Sequence, residues 1–556
     1  MTTTQPAAAS IQQSSDLLRA GESVLDAALE SARKTMDGGK TIDEHQVHAE
    51  RLAYAATELR AAKEMIAYAE GLRGSGNPDA IAEEQALAYT AEVVHKLRSQ
   101  IEGALDDFGI DEALLERELG SADVRRQIRD GLAESRLRAI GRQVIEIRGV
   151  NQAPLGDEEL DLVRRSVRDF AKAEVAPIAE RIHRNDELVP DTLITTMAEQ
   201  GFFAASIPEQ YGGAGMGYPA MIITTEELSA ASLGAAGSLA TRPEILAKAL
   251  LAGGTESQKQ TWLPRIASGE IMVGIGVTEP DVGSDVASVS TRAEPAEIDG
   301  RKGWVLNGAK AWSTFSGRAN VLAVLARTDP DRSKAARGLS LFIVPKQPAY
   351  GHAYEERQPH GGMLSGTAIP TPGYRGMHSF MVNFDNFFVP AENLVGEEGG
   401  VNRGFYLQMG GFAAGRLQTG GRATGVSQAA LEKTATYVTD RRQFGKPIGE
   451  YGLTQYKLGR IATHIAAGRW LTYAAARVMD ADENSSMEGA MCKLLASDIA
   501  VWVTQEGQLI HGGWGYAEET AISRYVVDAQ VLPIFEGVKP ILELRVIARG
   551  LLAGER

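Results

Sequence analysis

Cysteine is nearly absent. The single Cys492 in 556 residues excludes an intramolecular disulfide framework and fits a reducing compartment. No Cys/His cluster with metal spacing stands among the nine histidines, so no metal site is expected. Positive charge is also in short supply. Lys and Arg number 57 against 72 Asp and Glu, and the net charge of -15 disfavours a nucleic-acid partner. Long hydrophobic runs are missing too: no stretch approaches the ~20 apolar residues needed to span a bilayer. The opening segment, Met1 to Asp16, lacks the basic and apolar regions of a secretion signal. Together these absences predict a soluble cytoplasmic protein without membrane insertion.

What is present has four textures. Residues 1–150 are rich in Ala, Glu, Arg and Leu and read as a helical extension. A break around Gly149 to Pro154 reads as a linker. Residues 155–270 carry amphipathic helical patterns. Residues 271–395 switch to short β-type runs separated by Gly, Pro and Asp. Within them, Pro348 to Gly376 reads as a long loop. Residues 396–556 return to long helices. The predicted class is therefore mainly α with a central β-barrel domain.

The chemistry concentrates in a few strings. Near the end, Pro533-Ile534-Phe535-Glu536-Gly537 sets one carboxylate between an apolar run and a glycine. A carboxylate there is poorly solvated, which suits a base acting on a carbon acid, and Gly537 leaves room for a substrate. An ordinary Glu at a helix N-terminus is the bland alternative. Gly276 to Asp285, GVTEPDVGSD, ends a β-type run in Thr, Gly and Ser, whose hydroxyls and backbone N–H groups can bond a planar heterocycle or an amide. Asn307 to Thr314, NGAKAWST, brings Trp312 into a strand, where plain core is the common role. Asp440 to Lys446, DRRQFGK, offers an Arg fork for an anion. In His511 to Tyr516, HGGWGY, the glycines allow close backbone approach.

In this order the strings closely resemble the acyl-CoA dehydrogenase family over about residues 155 to 556. The resemblance implies FAD as cofactor and an acyl-CoA as substrate. It implies flavin contacts at Val277, Thr278, Gly283, Ser284, Trp312, Ser313, Thr314, Arg441, Gln443, Phe444, Gly512 and Gly513, with Arg441 on the pyrophosphate of a neighbouring subunit's FAD. Glu536 matches the usual base. Ser284, Arg416 and Gly537 match substrate-side positions. An electron-transfer flavoprotein is the implied acceptor, and a homo-oligomer the implied assembly. Departures occur at Val538, Pro540, Gly452, Leu509 and Ala413, where other residues are usual.

Two features set this chain apart. Glu44 to Ala69 resembles Glu450 to Ala475 in one ungapped register, matching Glu44 with Glu450, Leu52 with Leu458, Ala56 with Ala462 and Ala61 with Ala467. The front piece thus reads as a decayed duplicate of the C-terminal bundle, or as chance similarity between Ala-rich helices. A duplicate filling a second dimer's place would make the chain a dimer. A front extension of this kind resembles a subgroup acting on a short branched dicarboxylic acyl-CoA. Arg242, where relatives usually carry a neutral residue, is the candidate clamp for the free carboxylate; a pair with Glu244 or simple exposure are the alternatives. Rival functions are dehydrogenation of a neutral branched acyl-CoA of isobutyryl type, and the family's DNA-associated branch.

Overall fold

The computed structural model describes residues 7–482 and 485–554. The chain forms two compact units, Met1–Asp161 with Thr419–Arg556, and Leu162–Gln418. Among the described residues no helix is long and apolar enough to cross a membrane.

In the first unit, α1 (Ala7–Thr35), α2 (Gln46–Gly74) and α3 (Ala80–Glu102) open the chain. Asp79 caps α3 by accepting from the backbone N–H of Ile81 at 2.8 Å and of Ala82 at 3.3 Å. Alanines make tight packing possible: Ala49, Ala53, Ala56 and Ala62 are buried on α2 beside Leu52 and Leu59. The helix Glu134–Glu146 presses against the long helix Gly452–Ala481. A Cβ on Gly141 would stand 1.8 Å from the Gln455 carbonyl oxygen, and one on Gly459 would stand 1.9 Å from that of Leu137. Only glycine fits at either position.

The register between the front and the C-terminal bundle extends well beyond the matched strings. A short turn Ile42–Glu44 precedes α2, and Ile448–Glu450 precedes Gly452–Ala481. The same offset carries Ala80, where α3 starts, onto Ser486, where the helix Ser486–His511 starts. It also carries Glu134–Glu146 onto Pro540–Leu552, within the last helical segment. The two sets then touch reciprocally. Tyr54 Oη donates to Asp498 at 2.7 Å, and Arg460 donates to Glu92 at 2.6 Å. In this register Tyr54 matches Arg460, and Glu92 matches Asp498. Each residue thus meets the counterpart of the residue that its own counterpart meets, as in an isologous dimer. The front helices and the C-terminal helices share one register of boundaries and one reciprocal pair of contacts.

The second unit joins helices from Leu162 to Ala267 to a mixed eight-stranded sheet. Its strands are β1 (Val273–Gly276), β2 (Arg292–Ile298), β3 (Arg301–Thr314), β4 (Val321–Arg327), β5 (Leu339–Pro345), β6 (Ala353–Arg357), β7 (Met363–Ile369) and β8 (Ser379–Pro390). They lie in the order β1-β4-β2-β3-β8-β7-β6, with β5 paired to β4. β1 and β4 run parallel, and β2, β3, β8, β7 and β6 form an antiparallel meander. Leu228 from a helix and Leu239 from a turn share a core with Leu322, Phe342 and Phe380 from the sheet. The expected loop from Pro348 to Gly376 needs correction, because it contains the hairpin β6–β7. Its Gly and Pro content hid a short alternation in which Tyr354 turns inward against Phe380, at 5.7 Å between ring centroids.

Candidate active site

β1 delivers the first string. Just past its end, Thr278 is half-buried, while Gly283 and Ser284 are exposed at a turn. Val277 points its side chain inward and is 6% exposed. Glu279 anchors the turn. Its carboxylate accepts from the backbone N–H of Ser290 and Thr291, each at 2.8 Å, and pairs with Lys310 Nζ at 2.9 Å. Lys310 is fully buried and donates a second bond to the Val277 carbonyl at 3.1 Å. Burial raises the Glu279 carboxyl, but the Lys310 charge and the surrounding donors win and bring it down to about 2. Burial brings the Lys310 ammonium down to about 8 against the pull of Glu279. Removing either partner would strand a charge, so this pair fixes the turn in one geometry.

β3 delivers the second string through an irregularity in its pairing with β8 between Lys310 and Ser313. Trp312 sits in this bulge with φ of +56° and is 55% exposed. It is therefore not plain core; the bulge aims a large indole outward. Ser313 turns inward and donates to the Ile275 carbonyl at 2.6 Å, and Thr314 Oγ1 meets Ser379 Oγ at 2.9 Å. Their side chains stitch the sheet beneath Trp312.

The third and fourth strings converge in the first unit. β9 (Arg442–Gln443) and β10 (Lys446–Pro447) form a two-residue hairpin. Phe444 and Gly445 at its tip have φ of +50° and +87°, the signature of a type I′ turn. Phe444 is 94% exposed there. Behind the hairpin, Tyr437, Arg441, Gln443, His511, Gly512 and Gly513 line one cavity of about 600 Å³. Tyr437 stacks on His511 at 4.2 Å and donates to its carbonyl at 3.0 Å, fixing the helix end that precedes the glycines. Nothing lies within 4 Å of a Cβ at Gly512 or Gly513. A bare backbone and an exposed guanidinium thus face an open cradle, which suits a phosphate-bearing ligand.

Glu536 rides on a closed turn. The backbone N–H of Lys539 donates to the Pro533 carbonyl at 3.1 Å, and buried Lys493 donates to the Gly537 carbonyl. The guanidinium of Arg422 stands 5.6 Å from the Phe535 ring. Glu536 and Gly537 both adopt left-handed backbone, with φ of +54° and +94°. For Glu this costs energy, and it persists because the turn is tied at both ends. The side chain is half-buried.

Arg242 and Arg416 lie in the second unit. Arg242 is 3% exposed and donates from Nε to the Ser238 carbonyl at 3.3 Å, so it is not a surface residue. Glu244 receives Ser206 Oγ and Gln418 Nε2. Arg416, 8% exposed, stands two residues before that Gln418 on the helix Gly404–Asp440.

Sequence spacing gave no sign of two groupings. One is the Glu279–Lys310 pair, whose members lie in separate strings. The other is Asp186, His352 and His378, whose ligand atoms lie within 4.8 Å of one another among the described residues. Arg375 Nε also stands 3.5 Å from the Asp186 carboxylate. A cation already balances that carboxylate, so the group acts as an ionic staple.

Each part, taken within its own unit, has chemistry that suits FAD: Trp312 turns an exposed indole outward, and Arg441 shares a cavity with the bare glycines Gly512 and Gly513. Comparison with known proteins agrees. Residues 157–270, 274–387 and 402–552 match the N-terminal, middle and C-terminal domains of acyl-CoA dehydrogenases. A (2S)-methylsuccinyl-CoA dehydrogenase of Cereibacter sphaeroides is 39% identical over 94% of both chains. An acyl-CoA dehydrogenase of Bacillus subtilis is 35% identical over 71% of this chain and 99% of its own. The solved glutaryl-CoA dehydrogenase–glutaryl-CoA complex superposes with a TM-score of 0.64 at 30% identity, covering 72% of this chain and 96% of that one. This chain belongs to the acyl-CoA dehydrogenase family, FAD-dependent enzymes that act on the CH–CH bond of an acyl-CoA.

Proposed function

We propose that the chain dehydrogenates a short branched dicarboxylic acyl-CoA, (2S)-methylsuccinyl-CoA to mesaconyl-CoA, in the cytoplasmic ethylmalonyl-CoA route. The observation that carries this reading is the length of the similarity. The Cereibacter relative matches over 94% of the chain, front module included, whereas the Bacillus relative covers 71%.

Bound FAD supplies a hydride acceptor for the β-hydrogen. Glu536 takes the α-proton, and its backbone N–H steadies the charge that develops on the thioester oxygen. Ser284 and Gly537 border the acyl chain and pantetheine, with Arg416 on the substrate side. The α-carbon of methylsuccinyl-CoA carries the methyl group, so its proton is less acidic and orientation matters more. Arg242 clamps the distal carboxylate. Its burial supports this, since a buried guanidinium is retained where an anion meets it. Electrons leave to an electron-transfer flavoprotein. The chain works as a homodimer. The exposed Phe444, Leu509 and Tyr516, at 94%, 72% and 86%, support an apolar subunit contact.

Arg242→Met tests the substrate class. Truncating one member of a hydrogen-bonded charge pair costs roughly 2–5 kcal/mol, or about 30- to 4000-fold in kcat/KM for the diacid. Isobutyryl-CoA has no carboxylate to strand, so its rate should hold or rise. Equal losses for both would make Arg242 structural and favour the neutral substrate.

A further inference from the structure

We propose that the front module positions the catalytic turn: Tyr54 on α2, acting through Asp498, fixes Lys539 and with it the segment that carries Glu536. The proposal rests on Glu536 being the base.

Two contacts meet at Asp498. Tyr54 Oη donates to Asp498 Oδ2 at 2.7 Å, and Lys539 Nζ reaches the same oxygen at 2.5 Å. Lys539 Nζ also lies 4.8 Å from the centre of the Tyr54 ring. The backbone N–H of Lys539 closes the turn onto Pro533. One side chain of the front module is thus two contacts away from the closing residue of the Glu536 turn. The Asp498 and Lys539 side chains are 27% and 35% exposed, so the pair adds little to global stability. Its consequence is geometric. A left-handed Glu keeps its conformation only if its neighbours hold it, and Lys539 is one of the two ties.

The duplicated contact gives a control. At the matching place Arg460 and His464 both satisfy Glu92, at 2.6 and 3.2 Å, and the ion pair closes on itself. Where the second copy has Arg460, the front copy has Tyr54. A neutral donor orients Asp498 without neutralising it. Burial and the neighbouring Asp498 and Glu58 push the Tyr54 hydroxyl well above its ordinary pKa, so it stays a donor. The Asp498 charge is left for Lys539. An Arg at position 54 would compete with Lys539 for that carboxylate.

Tyr54→Phe and Tyr54→Arg in the full-length FAD-loaded enzyme test this, with Glu536→Gln as reference. The probe is 3-thiabutyryl-CoA, whose sulfur replaces the β-carbon so that no hydride can leave. Exchange of its α-protons in D2O reports the base alone. Tyr54→Phe should slow exchange about 10- to 100-fold, the scale of a base displaced by about 1 Å, with the probe's Kd held within about twofold. Tyr54→Arg should slow it at least as much, and adding Lys539→Met to Tyr54→Phe should cost little more. Should Tyr54→Arg fail to fold, Tyr54→Phe decides. Wild-type exchange in Tyr54→Phe beside none in Glu536→Gln would overturn the positioning role alone. Wild-type exchange in Glu536→Gln would overturn the base assignment, and the positioning role with it.

Discussion

The front module and the C-terminal bundle share a framework and differ in everything chemical. Shared helix boundaries, buried alanines and reciprocal contacts keep the two copies alike where they pack. Away from that contact they part. The offset that matches Ala80 with Ser486 sets Asp106-Asp107 against Gly512-Gly513, Thr35 against Arg441, and Leu137 against Glu543. The front copy has acid where the back copy leaves a bare cradle, and Thr35 in place of the Arg441 guanidinium. Packing and chemistry are therefore separable on this scaffold. We read the front module as a copy without that ligand chemistry, kept as a covalently attached partner that covers an apolar face of the bundle.

The harshest test removes one side of the comparison. Deleting residues 1–150 would uncover the surface of Gly452–Ala481, including Trp470, on which Tyr68 stacks at 3.6 Å between ring centroids. Aggregation or assembly into a tetramer is expected, read by light scattering after size exclusion. A truncated chain that stays a soluble, fully active dimer would show that the front copy is an appendage.

The next test moves one chemical difference across. Gly513→Asp gives the back copy the residue of the front copy. Its Cβ meets no atom within 4 Å, so the change acts through charge rather than space. A carboxylate in the cavity of Arg441 would repel a pyrophosphate and occupy the guanidinium. Losing such charge-assisted bonds costs roughly 2–5 kcal/mol, about 30- to 4000-fold in FAD affinity. The purified protein should be colourless. Full flavin content would mean that the cradle serves something else.

A third test uses pH. Glu543 is 3% exposed, and the front copy has Leu137 at this place. Burial, together with Glu50 and Asp498, holds the Glu543 carboxyl up at about 7 against the pull of Lys539. A carboxyl raised in the folded state binds its proton more tightly there than in the unfolded chain. Its contribution to stability is then full below the ordinary value of 4.5 and is lost as pH rises towards about 7. Glu543→Gln should flatten this part of the stability profile by roughly 1–3 kcal/mol, measured by denaturant midpoints at pH 5 and 8. An unchanged slope would place the proton elsewhere.

The separation of framework from chemistry also governs what the chain discloses before it folds. Helical periodicity and contiguous strings such as GVTEPDVGSD and HGGWGY are local, so the α–β–α order and most candidate ligands can be read directly. The register of Glu44 with Glu450 was legible for the same reason, and the shared helix boundaries extend it. Contacts between strings are not local. Lys310 and Glu279 meet because β3 brings the bulge against the end of β1, and no spacing rule encodes that pairing. The hairpin β6–β7 escaped because five and seven residues between glycines and prolines carry too little alternation. Trp312 was legible as a candidate through its string, but its outward aim depends on a backbone bulge that composition does not reveal.

The mildest test is the reverse exchange. Asp107→Gly gives the front copy the bare residue of the back copy. Asp107 lies 3.7 Å from Arg51, and the two side chains are 69% and 35% exposed. A surface pair of this kind is worth about 0–1 kcal/mol, and glycine in a four-residue helix end adds a cost of similar size. Stability should move by no more than about 1 kcal/mol, with flavin content and turnover unchanged. One bare residue cannot rebuild a cradle, because the front copy has Thr35 where the cavity needs Arg441, and Asp106 still faces any anion. A second flavin bound by Asp107→Gly, seen as an FAD-to-chain ratio above one, would mean that the front copy kept its cofactor fold and lost a single residue. The two copies would then differ by far less than their surfaces suggest.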